Sequence, residues 1–458
     1  LKIPDGLIAD CSFNANFTNQ YIKQDGCNDA NSTIVITEFS GKYKTIPFSI
    51  PQGVISNFEK TVAAGSFKSN FDIAQLNEIV SKDLVHFSGG KANVSLDFNF
   101  NVMDLKIKKP LFTGKIDVKG AVAKYGPRNL TFVKTDVHLD FTEEALLIKK
   151  INFKDRRNNV LMEGKINNFL TLYYDSPEKM VVDWDIYAPF LDVKQVVGII
   201  TNSGQQVPKK KTTADNFSRE MTSVIEKCQV LLSLKADKMV YSKLEATNAK
   251  ATVLLVNNEV IVKNGSVESS GGNISFEGKL APYKNDFILK SNTKINKVNI
   301  AKFLTSVNNF GIVSFKPNNL EGFLTASASV QGKLLASGEL KTNSLSGTAH
   351  FNVNQGALIN FKPITNVAKF AFPFRDVNNI IFRTLSGGFE INGELVNVNE
   401  LKVSSNVINL DVNGVYSFGS GTNLAMTIPL RNPKNDQLIK NKAERAEKRY
   451  NGIVLHLL

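Results

Sequence analysis

Residues 93–102 read Asn93-Val94-Ser95-Leu96-Asp97-Phe98-Asn99-Phe100-Asn101-Val102. The apolar side chains fall at every second position, with only polar ones between them. A strand has a side-chain period of two, so this spacing sends the apolar set to one face and the polar set to the other. One apolar and one wet face is the signature of an antiparallel sheet. The same alternation predicts a strand over 131–141, where Val133, Val137, Leu139 and Phe141 oppose Lys134, Asp136, His138 and Asp140. It recurs over 115–119, 273–276 and 408–413.

Around these stretches the chain repeats a three-stranded meander. Residues 252–278 give a strand, the turn Asn257-Asn258-Glu259, a second strand, the polar break Ser269-Ser270-Gly271-Gly272, and a third strand ending in Gly278. Residues 389–414 follow the same order through Asn392-Gly393-Glu394 and Ser404-Ser405-Asn406. Residues 137–164 do so through Thr142-Glu143-Glu144 and a polar turn at 155–159. Asn, Gly and Ser at these joints supply the backbone conformations that tight turns need. A recurrent unit of this size predicts a repeat architecture.

A second repeat is helical. Phe71-Asp72-Ile73-Ala74-Gln75-Leu76, Leu191-Asp192-Val193-Lys194-Gln195-Val196 and Val298-Asn299-Ile300-Ala301-Lys302-Phe303 align without gaps. Asp or Asn before a short helical pattern is a natural N-cap, because its side-chain oxygen accepts a free N–H of the first turn. Further helices are expected near 363–372 and 215–228. Residues 201–215, with Pro208 and the run Lys209–Lys211, read as a polar boundary loop.

The fold expected is mainly β with a few short helices: repeated antiparallel meanders forming an elongated, curled sheet, a β-trough capped by helices. Six segments follow: 1–84, an incomplete first β module ending in a short helix; 85–200, a second; 201–227, a polar loop and helix; 228–310, a third module; 311–433, a C-terminal β module; and 434–458, a charged tail with a truncated strand.

The 458 residues are 42% hydrophobic and 21% charged, which is the composition of a folded chain. No apolar run is long enough to span a bilayer as a helix. The sequence begins at Leu1 without a signal peptide, so it is expected to be a piece of a longer protein. The net charge of +13 is spread along the polar positions, with denser clusters at 106–109, 209–211 and 434–449. A nucleic-acid reader concentrates its charge in one stripe, so no nucleic-acid partner is expected. A solvated basic face is the plain reading; contact with anionic lipid headgroups is the sharper one. Cys11 and Cys27 are close enough in sequence to pair in an oxidising compartment, and Cys228 reads as a buried free thiol.

No enzyme motif is present. His86, His138, His350 and His456 are scattered, and neither a nucleophile elbow, a zinc-protease helix nor a phosphate-binding glycine loop occurs. Ser269-Ser270-Gly271-Gly272 is a turn between strands. Glu143-Glu144 is a hairpin turn, and Asp183 and Asp185 form the wet face around Trp184. The chain is expected not to be an enzyme and to need neither a cofactor nor a metal.

Residues 345–358 (Leu-Ser-Gly-Thr-Ala-His-Phe-Asn-Val-Asn-Gln-Gly-Ala-Leu), 385–395 (Leu-Ser-Gly-Gly-Phe-Glu-Ile-Asn-Gly-Glu-Leu), 401–405 and 426–430 carry a resemblance. With the helical repeat, they resemble the AsmA-like family of bacterial envelope proteins, most strongly from about 235 to 433. The Lys/Asn-rich composition resembles a Bacteroidetes-type member. The resemblance implies a Gram-negative periplasmic protein, related to bridge-like lipid-transfer proteins. It implies a role in lipid homeostasis or outer-membrane biogenesis. It also implies anchoring in the inner membrane by an N-terminal helix not present in this chain. The family brings no catalytic residues.

Physical chemistry sets what such a role requires. A diacyl lipid of about 30 methylenes costs on the order of 25 kcal/mol to expose to water. A carrier must offer an unbroken apolar lane. Strands about 4.8 Å apart, some 20–25 of them, would line about 100 Å. The positions expected to face a phospholipid or other acyl lipid are Val94, Leu96, Phe98, Phe100, Val137, Leu139, Val253, Leu255, Phe276, Phe351, Phe389 and Leu410. The 31 phenylalanines against one tryptophan suit a soft lining. They suit an ordinary, self-filled sheet core equally well, and that core would belong to an envelope scaffold or protein-binding module. Both readings stand at this point.

Overall fold

The structure, a computed structural model, describes residues 2–3, 6–103, 106–126, 130–154, 159–194, 196, 228–257, 259–312, 316–361, 377–406, 409–417, 421–429, 439–441, 443–444, 447 and 454–457. The chain is mainly β with a few short helices, and its strands form repeated antiparallel meanders. It divides into two compact units. The first comprises Leu1–Phe190, Asn202–Lys235 and Val253–Asn257; the second comprises Leu191–Thr201, Ala236–Thr252 and Asn258–Leu458.

The first unit begins with β1 (Lys2–Ile3), β2 (Gly6–Thr18), β3 (Thr33–Tyr43), β4 (Ile46–Ser56) and β5 (Val62–Asp72). It continues with β6 (Val85–Met103), β7 (Lys106–Tyr125), β8 (Leu130–Phe141), β9 (Ala145–Lys154), β10 (Asn159–Asn167) and β11 (Val181–Asp192). Each strand pairs antiparallel with the next in sequence. After β12 (Gln229–Tyr241) and β13 (Leu244–Val256), the second unit repeats the scheme. Its strands are β14 (Glu259–Ser269), β15 (Gly272–Tyr283), β16 (Asp286–Asn299), β17 (Leu320–Leu334) and β18 (Leu340–Ile359). They are followed by β19 (Asn379–Asn392), β20 (Leu395–Ser405), β21 (Asn409–Ser417), β22 (Asn423–Pro429) and β23 (Val454–Leu457). From β14 to β23 every consecutive pair is again antiparallel. The apolar stretch near the C-terminus is thus a strand, with Leu457 opposite Met426 and Leu455 opposite Ile428.

The meanders read over 137–164 and 389–414 lie on β8–β10 and β19–β21; in 252–278 the last two strands, β14 and β15, pair through Ser270 and Gly271, a two-residue turn with φ of 52° and 79°. Left-handed φ at both central positions matches the strand twist of a tight hairpin. The strands run well past the stretches whose alternation announced them: β6 has 19 residues and β7 has 20. The reason is a series of β-bulges. Gly120, Lys134, Asn264, Lys297 and Glu400 all have positive φ, and each sits where the pairing register shifts. A bulge inserts one residue, bends the strand and resets the phase of its side chains.

That reset corrects one expectation. Val133 was grouped with Val137, Leu139 and Phe141. Beyond the bulge at Lys134 it is Phe132 that pairs with Ala123 on the apolar side, and Thr135 that pairs with Ala121. Val133 turns outward and is 43% exposed.

Two of the aligned helical motifs are described along their length. Residues Ile73–Glu78 form a 3-10 helix, entered by the N–H of Asp72 donating to Gln75 Oε1 at 3.2 Å. Helix α2 (Ile300–Ser306; α1 is given below) has Asn299 as its N-cap, whose Oδ1 accepts from the N–H of Lys302 at 2.9 Å. In the third, Val193, Lys194 and Val196 are helical. Ile73 is buried against Ala92 and Ala121 on the sheet. Helix α1 (Phe169–Asp175), outside the helices expected from the sequence, has about two turns, follows β10 after Asn168 and buries Leu170. The helices expected near 363–372 and 215–228, and the loop at 201–215, lie outside the described residues, apart from Cys228.

Candidate functional site

Pairing partners in an antiparallel sheet point to the same side, so the register shows which side chains share a face. In the first unit one row runs Ser69, Val94, Ile116, Leu139, Ile148, Gly164, Trp184 across β5–β11. The row beside it runs Ala92, Val118, Val137, Ile151, Met162, Ile186. The row on the other side runs Phe67, Leu96, Gly114, Phe141, Leu146, Ile166, Val182. Phe98 pairs with Gly65 and Phe112, and Phe100 pairs with Ala63. None of these rows contains a charged side chain. The opposite face carries Asn93, Asp117, His138 and Lys150 in one row, with Ser95, Lys115 and Asp140 in the next. Val94, Leu96, Phe98, Phe100, Val137 and Leu139 therefore lie on one face, as their alternation implies.

The second unit repeats the arrangement with smaller side chains. One row runs Gly265, Phe276, Thr293, Ala328, Ala349, Phe389, Val398, Gly414, Leu424. Its neighbour runs Val267, Ile274, Ile295, Ala326, Phe351, Gly387. The next runs Val298, Leu324, Val353, Leu385, Val403, Leu410. Phe276, Phe351, Phe389 and Leu410 share this face. Val253 and Leu255 lie on β13, where every residue from Ala251 to Val256 is half-buried, so exposure does not single out their side.

Aromatic rings make both faces continuous. Phe13, Phe39, Phe48 and Phe67 form a ladder across β2–β5 with centroids 5.6, 5.4 and 5.8 Å apart. Phe351 and Phe389 stack at 5.1 Å. Several rings lie over a glycine of the next strand. A Cβ on Gly164 would come within 2.9 Å of the Trp184 ring, and one on Gly265 within 2.5 Å of the Phe276 ring. The glycines are needed because the rings lie flat along the sheet.

Burial divides the face. Phe141, Leu146, Ile148, Ile166, Met180 and Val182 are buried, with Phe169 and Leu172 of α1 packed on them. Phe169 stands 5.9 Å from Phe141. Cys228 joins this cluster, and burial pushes its thiol pKa up by disfavouring the charged thiolate. Cys11, Cys27 and Cys228 form no disulfide in this structure. Leu410, with Leu324, Val353 and Leu385, is also buried, and so is Val94. By contrast Leu96, Phe98, Phe100, Phe112, Val137, Leu139, Phe276, Phe351 and Phe389 are only half-buried.

The polar face carries the ion pairs. Lys149 Nζ donates to Asp140 Oδ2 at 2.5 Å, which holds the Asp140 carboxyl below the usual carboxylate range. His138 Nδ1 meets Asp117 Oδ1, between the cross-strand neighbours Asn93 and Lys150. Neither neighbour offers a hydroxyl or thiol nucleophile to that pair. A shallow depression of about 590 Å³ crosses β14–β18; Glu277, Lys279, Lys290, Asn292 and Gln331 wall it on the polar side, over the backbone of Gly278 and Gly347. No helix among the described residues is long and apolar enough to cross a membrane. Comparison with known protein families, curated proteins and solved structures yields no match.

Proposed function

We propose that this chain shelters or conducts a phospholipid or another acyl lipid along its uncharged sheet face, as a periplasmic AsmA-like protein serving lipid homeostasis or outer-membrane biogenesis. In this reading the protein acts without catalysis, and an N-terminal helix outside this sequence anchors it in the inner membrane. The observation that carries the reading is the combination of register and exposure. Whole rows of paired residues are free of charge, yet many of their large side chains stay half-buried. Apolar surface left facing water costs about 25 cal/mol per Å². A lipid tail laid along the rows would recover that energy without needing any specific polar contact. The resemblance in residues 345–358 and 385–395 points the same way.

The test is organic extraction of the purified chain followed by mass spectrometry. Phospholipid in stoichiometric amount is the expected result; a well-folded protein free of lipid would overturn it. A second reading, a non-enzymatic envelope scaffold or protein-binding module with a self-filled core, draws support from the cluster beneath α1, where the protein's own side chains cover the face.

A further inference from the structure

Beyond β2 the apolar face does not stop at the sheet. The row Phe100, Ala63, Ile55, Ile34, Phe17 ends on β2, where Phe17 is 62% exposed. Phe17 lies 5.9 Å from Phe58, which sits in the turn between β4 and β5. The connection from β2 to β3 lies at the same end of the strands, since Thr18 pairs with Thr33 and Thr33 with Ser56. That connection presents Tyr21, 63% exposed, and Ile22, 48% exposed. Four large carbon-rich, exposed side chains thus lie at this end of the strands in the first unit, on the end of β2 and the two loops beside it.

The loop that carries them pairs several of its own backbone groups around Asn31. Asn31 is buried; its Oδ1 accepts from the N–H of Ile22 at 2.8 Å, and its Nδ2 donates to the carbonyls of Ile22 and Gly26 at 2.8 and 2.6 Å. The N–H of Tyr21 donates to the carbonyl of Asn31 at 3.1 Å, and the N–H of Phe58 to that of Asp29 at 2.8 Å, which ties the two loops together. Backbone groups already paired within the loop are what a lipid environment demands, because hydrocarbon offers them no partner. A tyrosine beside aliphatic and phenyl side chains suits the boundary between headgroups and acyl chains. Lys23 and Lys60 stand among Asp25, Asp29 and Glu59, so the rim has no basic excess to select anionic lipid.

From this we infer that the rim formed by Phe17, Tyr21, Ile22 and Phe58 inserts into the interfacial layer of a zwitterionic bilayer and opens the apolar face to it. The role as an entry point rests on the lipid-conducting reading; the membrane contact itself does not. Flotation of the full chain with neutral phosphatidylcholine vesicles tests it. Tyr21→Ser with Ile22→Ser should lower the vesicle-bound fraction about tenfold, with melting temperature unchanged. Phe58→Ser should lower it less, and Leu395→Ser, an exposed apolar position in the second unit, should leave it as it was. Equal losses in the rim and Leu395 variants would overturn the inference, as would a wild type that floats no better than the double variant. So would a wild type that fails to float but forms dimers that the double variant breaks. Extraction separates the two claims. A wild type that floats through its rim yet yields no lipid sinks the conduit and supports the rim; a double variant that keeps its extracted lipid but loses flotation supports the rim alone.

Discussion

The apolar faces of the two units are built differently. Across β8–β11 of the first unit, Phe141, Leu146, Ile166 and Val182 are buried and α1 covers them. Across β15–β19 of the second unit, Phe276, Thr293, Ala328, Ala349 and Phe389 form an equally continuous row, but all are half-buried. Where a bulky side chain would add carbon, this row has alanine or threonine. Thr293 shares its hydroxyl with Ser291 at 3.3 Å, so the polar atom is satisfied on the sheet itself. The difference teaches that an uncharged face is not by itself a conduit. It becomes a core where a helix returns over it, and a surface where small residues lie between spaced rings.

A charge should separate the two stretches most sharply. Ile166→Asp places an unpaired carboxylate in the filled cluster, costs several kcal/mol and should abolish folding, as judged by circular dichroism. Ala328→Asp should leave the fold intact and remove extractable lipid; an unfolded Ala328→Asp would show that the second stretch is a core too. Truncation gives a finer scale. Phe141→Ala should cost about 3–5 kcal/mol in urea denaturation, the range for a buried ring, and Phe351→Ala clearly less. Equal costs would erase the distinction. Gly265→Ala sets a Cβ against the Phe276 ring and should cost about 1–3 kcal/mol through overpacking, or lift the ring off the sheet. The smallest effect belongs to the polar face. The Asp140 carboxyl, stabilised by Lys149, titrates below its unfolded value, so its contribution is present above the unfolded pKa near 3.9 and is lost as pH falls through the folded one. For so exposed a partner it amounts to about 0.5 kcal/mol, and Lys149→Met should flatten that part of the acid limb.

Much of this fold is legible in the sequence because its rule is local. Residues 93–102 alternate without a break, and their pairing with β5 keeps that phase from Asn93 to Asn101. The Asn299 cap reads directly as the start of α2. Legibility fails wherever a bulge resets the phase. Val133 keeps the spacing of an inward residue but lies beyond the extra residue at Lys134, and nothing in its composition marks the change. In β14 the shift is visible in retrospect, as Val260 and Val262 give way to Val267 across Asn264. Of the candidate lining, the common side of six residues in the first unit and of four in the second is legible, and the burial is not. Leu410 and Phe351 alternate alike, yet Leu410 is buried with Leu324, Val353 and Leu385. Only tertiary packing decides that. Helix α1 is not legible because its seven residues, about two turns, are too few to show a period.

Within each unit, every strand from β1 to β11 and from β14 to β23 leans on its predecessor in the chain. Such wiring keeps contacting residues close in sequence and keeps loop-closure entropy small at each step. Assembly can then proceed as an elongation, one hairpin at a time, as the polypeptide emerges into its compartment. Each added hairpin also lengthens a water-facing greasy strip before the unit is finished. The growing end is therefore the place where apolar surface and unpaired strand edge are exposed together until the next hairpin arrives.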